Sequence, residues 1–374
     1  MRAHSWPSLE HLAAMTDEVG IVQHAVIDVP NRSCGYCTDD AGRALIVACE
    51  AASRSGTEAE GARLIRTYLA YLLDAQQPDG WFHNFMGYDR RWQDRYGTAD
   101  AVGRAIWGLG CAELRAPRES WRAVARLMRA RALGAVRRMP YPRSRAYAAL
   151  GLVQALEARP DDELAVRAAL DESLAMIADA LDATRSEDES WVWCEDALTY
   201  DNARLCEALI RGGVALGEER YRAAGLAMLR FYCTVVLEDD PATGSSAEPV
   251  FVPVGNDGWF PRGGVKAREG QQPLEAAALV DAALAAYDAT GDPFWPAVAE
   301  IAHAWYFGRN SRGLPVATEH GCRDGIDRSG VNANMGAEST ICYLMSAMAM
   351  AKRSAARPLR VARAARASSG TRAP

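Results

Sequence analysis

RSCGYCTDDAGRALIVACE, residues 32–50, decides how the rest of the chain is read. Two adjacent carboxylates, Asp39 and Asp40, run straight into Gly42-Arg43-Ala44 and an apolar stretch with helical spacing, so the acids stand where a helix begins. The same start recurs at Tyr96–Gly110 (YGTADAVGRAIWGLG), where aligning the two Gly-Arg-Ala triplets sets Asp100 on Asp39. Further helix starts of this kind lie at Tyr141–Leu152, Thr199–Ile210, Gln271–Val280 and Asn334–Leu344. Six starts spaced about 40 to 70 residues apart are the mark of a repeat architecture, and the spacing predicts helix pairs.

Between the starts, second apolar helices are predicted at Glu58–Ala75, Glu119–Val136, Asp162–Thr184, Glu218–Leu237 and Pro293–Phe307. That makes six inner helices and five outer ones. The amphipathic segment Ser8–Thr16 supplies the missing outer helix, packing between the outer helices of repeats five and six, which closes a ring. The expected fold class is therefore all-α, an (α/α)6 toroid with long rim loops, occupying residues 1–353 as one domain. A basic disordered tail, 354–374, is expected to follow. In such a ring the inner helices run parallel, so their N-terminal ends meet at one rim.

Composition sets limits on function. The formal charge of −6 conceals seven basic and no acidic residues from Lys352 onward, so the body is more acidic than the total. An acidic body argues against a nucleic-acid surface. No apolar run reaches about 18 residues and the N-terminus lacks the pattern of a secretory signal, which argues against membrane spanning and export. Nine cysteines, an odd number without a disulfide-like spacing, fit reduced thiols and a cytoplasmic location. Cys34-x-x-Cys37 stands alone, and His83, His303 and His320 are separated singles, so neither a metal nor another cofactor is expected.

The loops carry the functional signal. The connector 76–96 (QQPDGWFHNFMGYDRRWQDRY) interleaves aromatics with polar groups, and 238–270 is a long Pro- and Gly-containing insertion of the kind that is usually functional. Sugar rings stack their C–H faces on aromatic planes while their hydroxyls pair with Asp, Asn, Arg and His. The alternative is that Trp81, Phe82 and Phe85 plug the top of a helical core.

With these motifs in place (YCTDDAGRA, DGWFHNF, GTADAVGRAIWGLG, EGQQPLEAA, NANMGAEST), the chain resembles the six-hairpin glycosidase-like proteins, whose members include glycoside hydrolases, polysaccharide lyases and sugar epimerases. The motifs look most like a bacterial branch thought to act near glycosyltransferases, which implies partners from such a pathway. The resemblance implies a carbohydrate substrate and carbohydrate metabolism. It transfers no catalytic pair residue by residue, so the site is argued from chemistry.

Glycosidases of the inverting type need a protonated acid and an ionised carboxylate about 6.5–9.5 Å apart, retaining ones about 5 Å apart. Acids at helix N-termini stay ionised, because the dipole and free N–H groups favour the anion. Asp39 and Asp100 are therefore expected to be base or substrate clamps, and Glu195 or Asp196, beside Trp191 and Trp193, the acid. The substrate-binding set comprises Asp40, Trp81, His83, Asn84, Tyr88, Trp191, Tyr200, Asp257, Trp259, Gln271, Gln272, Asp324, Asn334 and Glu338. Each aspartate has helix capping as its plainer role, Asp40 above all, while Arg43 and Arg104 are read as structural ion-pair partners. The expected function is a glycoside hydrolase with an inverting pair. The rivals are a lyase or epimerase using Tyr36, His83, Tyr200 or His320 as base, and a glycan-binding protein without catalysis. A terpene-cyclase-like toroid is a weaker rival, since the QQPDGW motif occurs once.

Overall fold

The computed structural model describes residues 4–240 and 244–369. Twelve α-helices order those residues, and the inner ones are α2 (Thr38–Ala52), α4 (Ala99–Arg115), α6 (Pro142–Glu157), α8 (Asn202–Leu216), α10 (Pro273–Thr290) and α12 (Ala337–Ser369). Each inner helix touches the next, and α12 returns to α2, so the inner ring closes. Outside it stand α3 (Glu58–Ala75), α5 (Glu119–Arg138), α7 (Glu163–Thr184), α9 (Glu219–Val236) and α11 (Phe294–Ala304). The short α1 (Glu10–Ala14) packs on α12 as the sixth outer element, with Leu9 and Leu12 buried. This is the (α/α)6 toroid expected from the helix count.

Glycines decide how closely the inner helices approach. A Cβ on Gly108 of α4 would collide with the Gly42 carbonyl oxygen of α2, and one on Gly110 with the Gly151 carbonyl of α6. Backbone therefore meets backbone on both sides of α4. The Gly-Arg-Ala repeat thus has a packing cause: its glycine admits the neighbour, and the arginine that follows reaches a buried acid.

The strands are short antiparallel pairs confined to the rim loops. The insertion before α10 contains the pair Leu237–Asp240 and Ser245–Phe251, followed by a turn at 256–258. Two boundaries move relative to expectation. Helix α2 starts at Thr38, so Asp39 and Asp40 occupy its first turn instead of a preceding loop. The backbone of α12 continues as helix through Ser369, across residues expected to be a disordered tail, while 370–374 lie outside the described residues. Among the described residues no helix is long and apolar enough to cross a membrane.

Candidate active site

Four of the six inner helices open with an acid in the first turn: Asp39 and Asp40 on α2, Asp100 on α4, Glu275 on α10 and Glu338 on α12. The parallel ring brings these ends to one mouth. Two cavities open there, of about 420 and 550 Å³, and they share Asp39, Gln272 and Glu338 in their walls. They form two lobes of one site. The first adds Asp40, Arg43, Gln23, His24, Asn256, Gln271, Asp324 and Asp327. The second adds Asn84, Phe85, Asp100, Arg104, Tyr141, Tyr200 and Trp259, with the Tyr200 and Trp259 rings 6.1 Å apart.

Capping is not the work of these aspartates. Thr98 caps α4 by accepting from Ala101 N at 3.2 Å, and α2 has no side-chain cap. The expectation that Asp40 caps α2 is replaced by a buried ion pair: Arg43 donates through Nη2 to Asp40 at 2.8 Å and through Nη1 to Glu338 at 2.9 Å. One guanidinium thus serves two carboxyls whose surroundings differ. Asp40 is only 3% exposed, whereas the Glu338 side chain is 40% exposed. Burial pushes the Asp40 carboxyl up to about 7 against the pull of Arg43. Burial acts on Glu338 in the same sense, but Arg43 and Arg104 outweigh it and hold that carboxyl below the ordinary glutamate range.

The equivalent arginine one repeat on, Arg104, faces Asp39 through Nη1 at 3.1 Å and donates through Nη2 to the Tyr147 hydroxyl at 2.8 Å and to Asp201 at 3.3 Å. Its guanidinium also covers the Tyr147 ring. Asp100 accepts from the Ser144 hydroxyl and, at 2.6 Å, from the Tyr200 hydroxyl. Beneath the site Asp201 adopts a left-handed φ of 51°, which an aspartate tolerates, and its backbone N–H donates to Glu275. Glu275 also accepts from Tyr232 at 2.9 Å, and burial pushes its carboxyl up to about 7.

Of the expected site residues, Asp39, Asp40, Asn84, Asp100, Tyr200, Trp259, Gln271, Gln272, Asp324 and Glu338 line the two lobes. The others stand outside both. Glu195 forms a two-point ion pair with Arg143 at 2.7 and 3.1 Å, and Asp196 is exposed. Trp191 is buried among Phe231 and Phe260 and donates to the Glu195 carbonyl, so its stacking face is spent. Trp81 donates to the Gly97 carbonyl at 2.9 Å beneath Arg138. His83 stacks on Trp92 and bonds Asp94, and Tyr88 stacks on Tyr36. Asp257 pairs with Arg328, and Asn334 accepts from Ile27 N.

The connector aromatics divide: Phe82 is fully buried as a plug, while Phe85 faces the second lobe. Sequence reading missed Gln23, His24, Asn256, Tyr141 and the contribution of Arg43 and Arg104 to the cavity wall. The triplet repeat marked the two arginines; nothing local marked the others. Among the described residues no group of three or more His, Cys, Asp or Glu is arranged to hold a metal ion.

No protein-family model matches the chain, and no curated protein matches it. Solved structures do. A sugar epimerase from a ruminal bacterium superposes with a TM-score of 0.68 at 12% identity, covering 91% of this chain and 93% of that one. The cellobiose 2-epimerase of Bacillus thermoamylovorans gives 0.68 at 8% identity over 92% and 95%. A GH76 α-mannanase of Bacteroides thetaiotaomicron gives 0.62 at 12% identity over 94% and 95%. At such identities the likeness is one of fold, and the chain has the six-hairpin (α/α)6 toroid on which those sugar epimerases and glycoside hydrolases are built.

Proposed function

We propose that the protein is a carbohydrate-active enzyme that hydrolyses a glycosidic bond at this mouth. The observation that carries the reading is the Asp40–Arg43–Glu338 bridge in the cavity wall. Two carboxyls share one guanidinium, and their environments push their proton affinities apart, which is how acid and base roles are divided between like groups. Asp40, protonated up to about 7, is the acid that protonates the leaving oxygen. Glu338, ionised and reaching the cavity, is the base that takes a proton from water. Inversion is the proposed course carried over from the sequence, and the anomer of the product decides it against retention. Asp39, at the junction of the lobes, and Asp100 bind sugar hydroxyls, while Trp259 and Tyr200 offer the stacking surface.

Product anomer by NMR, together with a pH–rate profile on a panel of oligosaccharides, tests this. Activity should fall as pH rises through about 7, where Asp40 loses its proton, and fall again on the acid side as Glu338 gains one. A rate that keeps rising above pH 8 would remove Asp40 from the acid role.

A second reading, sugar epimerase or isomerase, is favoured by the Tyr200–Asp100 hydrogen bond and by His24 in the first lobe. Of the four bases expected for it, Tyr200 alone lines the cavity: Tyr36 is tied to Asp17, His83 to Asp94 and His320 to Glu10. Solvent deuterium entering a sugar C–H position during incubation would decide for this reading. A lyase is disfavoured because it must neutralise a uronate carboxylate, and both wall arginines are already committed to acids. A purely glycan-binding protein would bind sugars unchanged by Asp40→Asn and release no product.

A further inference from the structure

The two lobes differ in the side chains they offer to a sugar. Phe85, Tyr141, Tyr200 and Trp259 line the second lobe, whereas among the described residues no Phe, Tyr or Trp lines the first. Its wall is built instead from amides and carboxyls such as Asn256, Gln271, Asn332 and Asp324. The four rings come from four separate segments: Phe85 from the connector after α3, Tyr141 from the residue before α6, Tyr200 from the turn before α8 and Trp259 from the insertion before α10. A single exposed ring would mean little. Four, brought from separate segments to one wall, make an aromatic platform beside a polar trough.

Two of these rings are unspent, and a third is held under strain. Phe85 and Tyr141 are 37% and 63% exposed and have no ring partner among the described residues. Trp259 adopts a left-handed φ of 59°, which a bulky residue keeps only where its surroundings impose it. Here they do: Trp259 N donates to the Gly255 carbonyl at 3.1 Å, the Trp259 carbonyl accepts from Ala267 N at 2.8 Å, and the next two residues, Phe260 and Pro261, pair with Leu198 and Ala197. The turn so fixed sets the indole in the second lobe beside Tyr200. The groups assigned to bond cleavage also tell the lobes apart. Glu338 lines both, whereas Asp40 lines the first alone. A bond broken between them lies at the junction, with the proton donor on the first-lobe side.

Resting on the hydrolase reading above, we infer that the substrate is an oligosaccharide longer than a disaccharide, bound with one polarity: its non-reducing part stacks on the rings of the second lobe, and its reducing-end residue leaves from the first. Asp40 gives its proton to the glycosidic oxygen, the C1–O bond breaks, and that oxygen departs as a hydroxyl of the sugar in the first lobe. Water adds its oxygen to C1 and passes a proton to Glu338, so the new reducing end stays in the second lobe. A sugar ring has two faces, and four aromatic rings are more than one residue can cover. Phe85, Tyr141 and Trp259 are thereby specificity-determining residues for chain length, and bond cleavage is left to Asp40 and Glu338.

The test uses gluco-, galacto-, manno- and xylo-oligosaccharides from disaccharide to pentasaccharide, each isotopically labelled with carbon-13 in the reducing-end residue. Saturation transferred from the aromatic protons of the full chain, read by NMR, should be strongest on the residues remote from the label. Digestion should release the label in the shortest fragment, and kcat/KM should rise about tenfold from disaccharide to trisaccharide, equivalent to about 1.4 kcal/mol. Trp259→Ala and Tyr141→Ala should each cut that rise severalfold. Tyr141 is mostly exposed, so its variant reports on the platform even if Trp259→Ala loosens the strained turn. Saturation centred on the labelled residue, release of the label in the longest fragment, or a rate indifferent to chain length overturns the inference and leaves hydrolysis standing. Saturation on the remote residues with no cleavage of any chain overturns the hydrolase reading and leaves the polarity of binding standing. A panel that gives neither saturation nor product overturns both.

Discussion

The ring has two mouths, and they hold charge to different degrees. Where the inner helices begin, acids stand in the first turns of α2, α4, α10 and α12, and carboxyls exceed cations in the cavity wall. Where the helices run out, a cavity of about 330 Å³ is floored by Trp107, Met345 and Met348, and its wall holds five carboxyls, Glu50, Glu157, Glu207, Asp281 and Asp288, beside the cations Arg115, Arg211 and Lys352. There Glu50 lies between Arg115 and Lys352, and Glu207 between Arg204 and Arg211. Helix N-termini carry partial positive charge and C-termini partial negative charge. A parallel ring adds six of each at opposite ends, so the mouth at the N-termini tolerates a larger excess of carboxylates than the other. Carboxyls exceed cations by four at the first mouth (six against two) and by two at the second (five against three).

The largest expected effect separates the mouths by chemistry. Asp40→Asn, which mimics the protonated carboxyl and keeps its size, should lower kcat about a hundredfold to ten-thousandfold while leaving the melting point near wild type. Glu50→Gln at the other mouth should leave kcat unchanged. Loss of activity in both variants would erase the distinction.

The next effect is on stability. Arg43→Met strands a buried and a half-buried carboxyl, and removing one member of a buried pair costs about 3–5 kcal/mol. The loss should be smaller at pH 5 than at pH 8, because Asp40 can then take a proton and cease to be an uncompensated charge. Denaturant titrations at the two values check the sign. Smaller is the effect of Gly108→Ala, whose new methyl meets the Gly42 carbonyl on a neighbouring helix and should cost about 1–3 kcal/mol by backbone displacement. The smallest is Arg115→Met at the far mouth. Its side chain is 37% exposed, and a screened pair of that kind contributes about 0.2–1 kcal/mol. If it matched Arg43→Met, burial would not be what distinguishes the two ends.

Much of this architecture was written locally. Helical periodicity, the Gly and Pro breaks and the repeated Gly-Arg-Ala triplet are short-range features, and they fix six helix starts, the outer helices and the closing role of Leu9 and Leu12. The same triplet placed Asp39 and Asp100 at corresponding positions, and both line the cavity. Reading Glu195 and Asp196 as the acid followed the neighbouring tryptophans, but Arg143 on α6 claims Glu195 and Asp196 stays in solvent.

What the sequence by itself determined, then, was a ring of six helical hairpins with acids at its inner helix starts, because those signals lie within a few residues of one another. Which carboxyl holds its proton more tightly was decided by tertiary structure alone. The Arg43 that divides Asp40 from Glu338 reaches across 295 positions of sequence, and Tyr200 reaches Asp100 across 100. A proton affinity depends on the burial of a group and the charges around it, and both exist only once α12 has closed against α2.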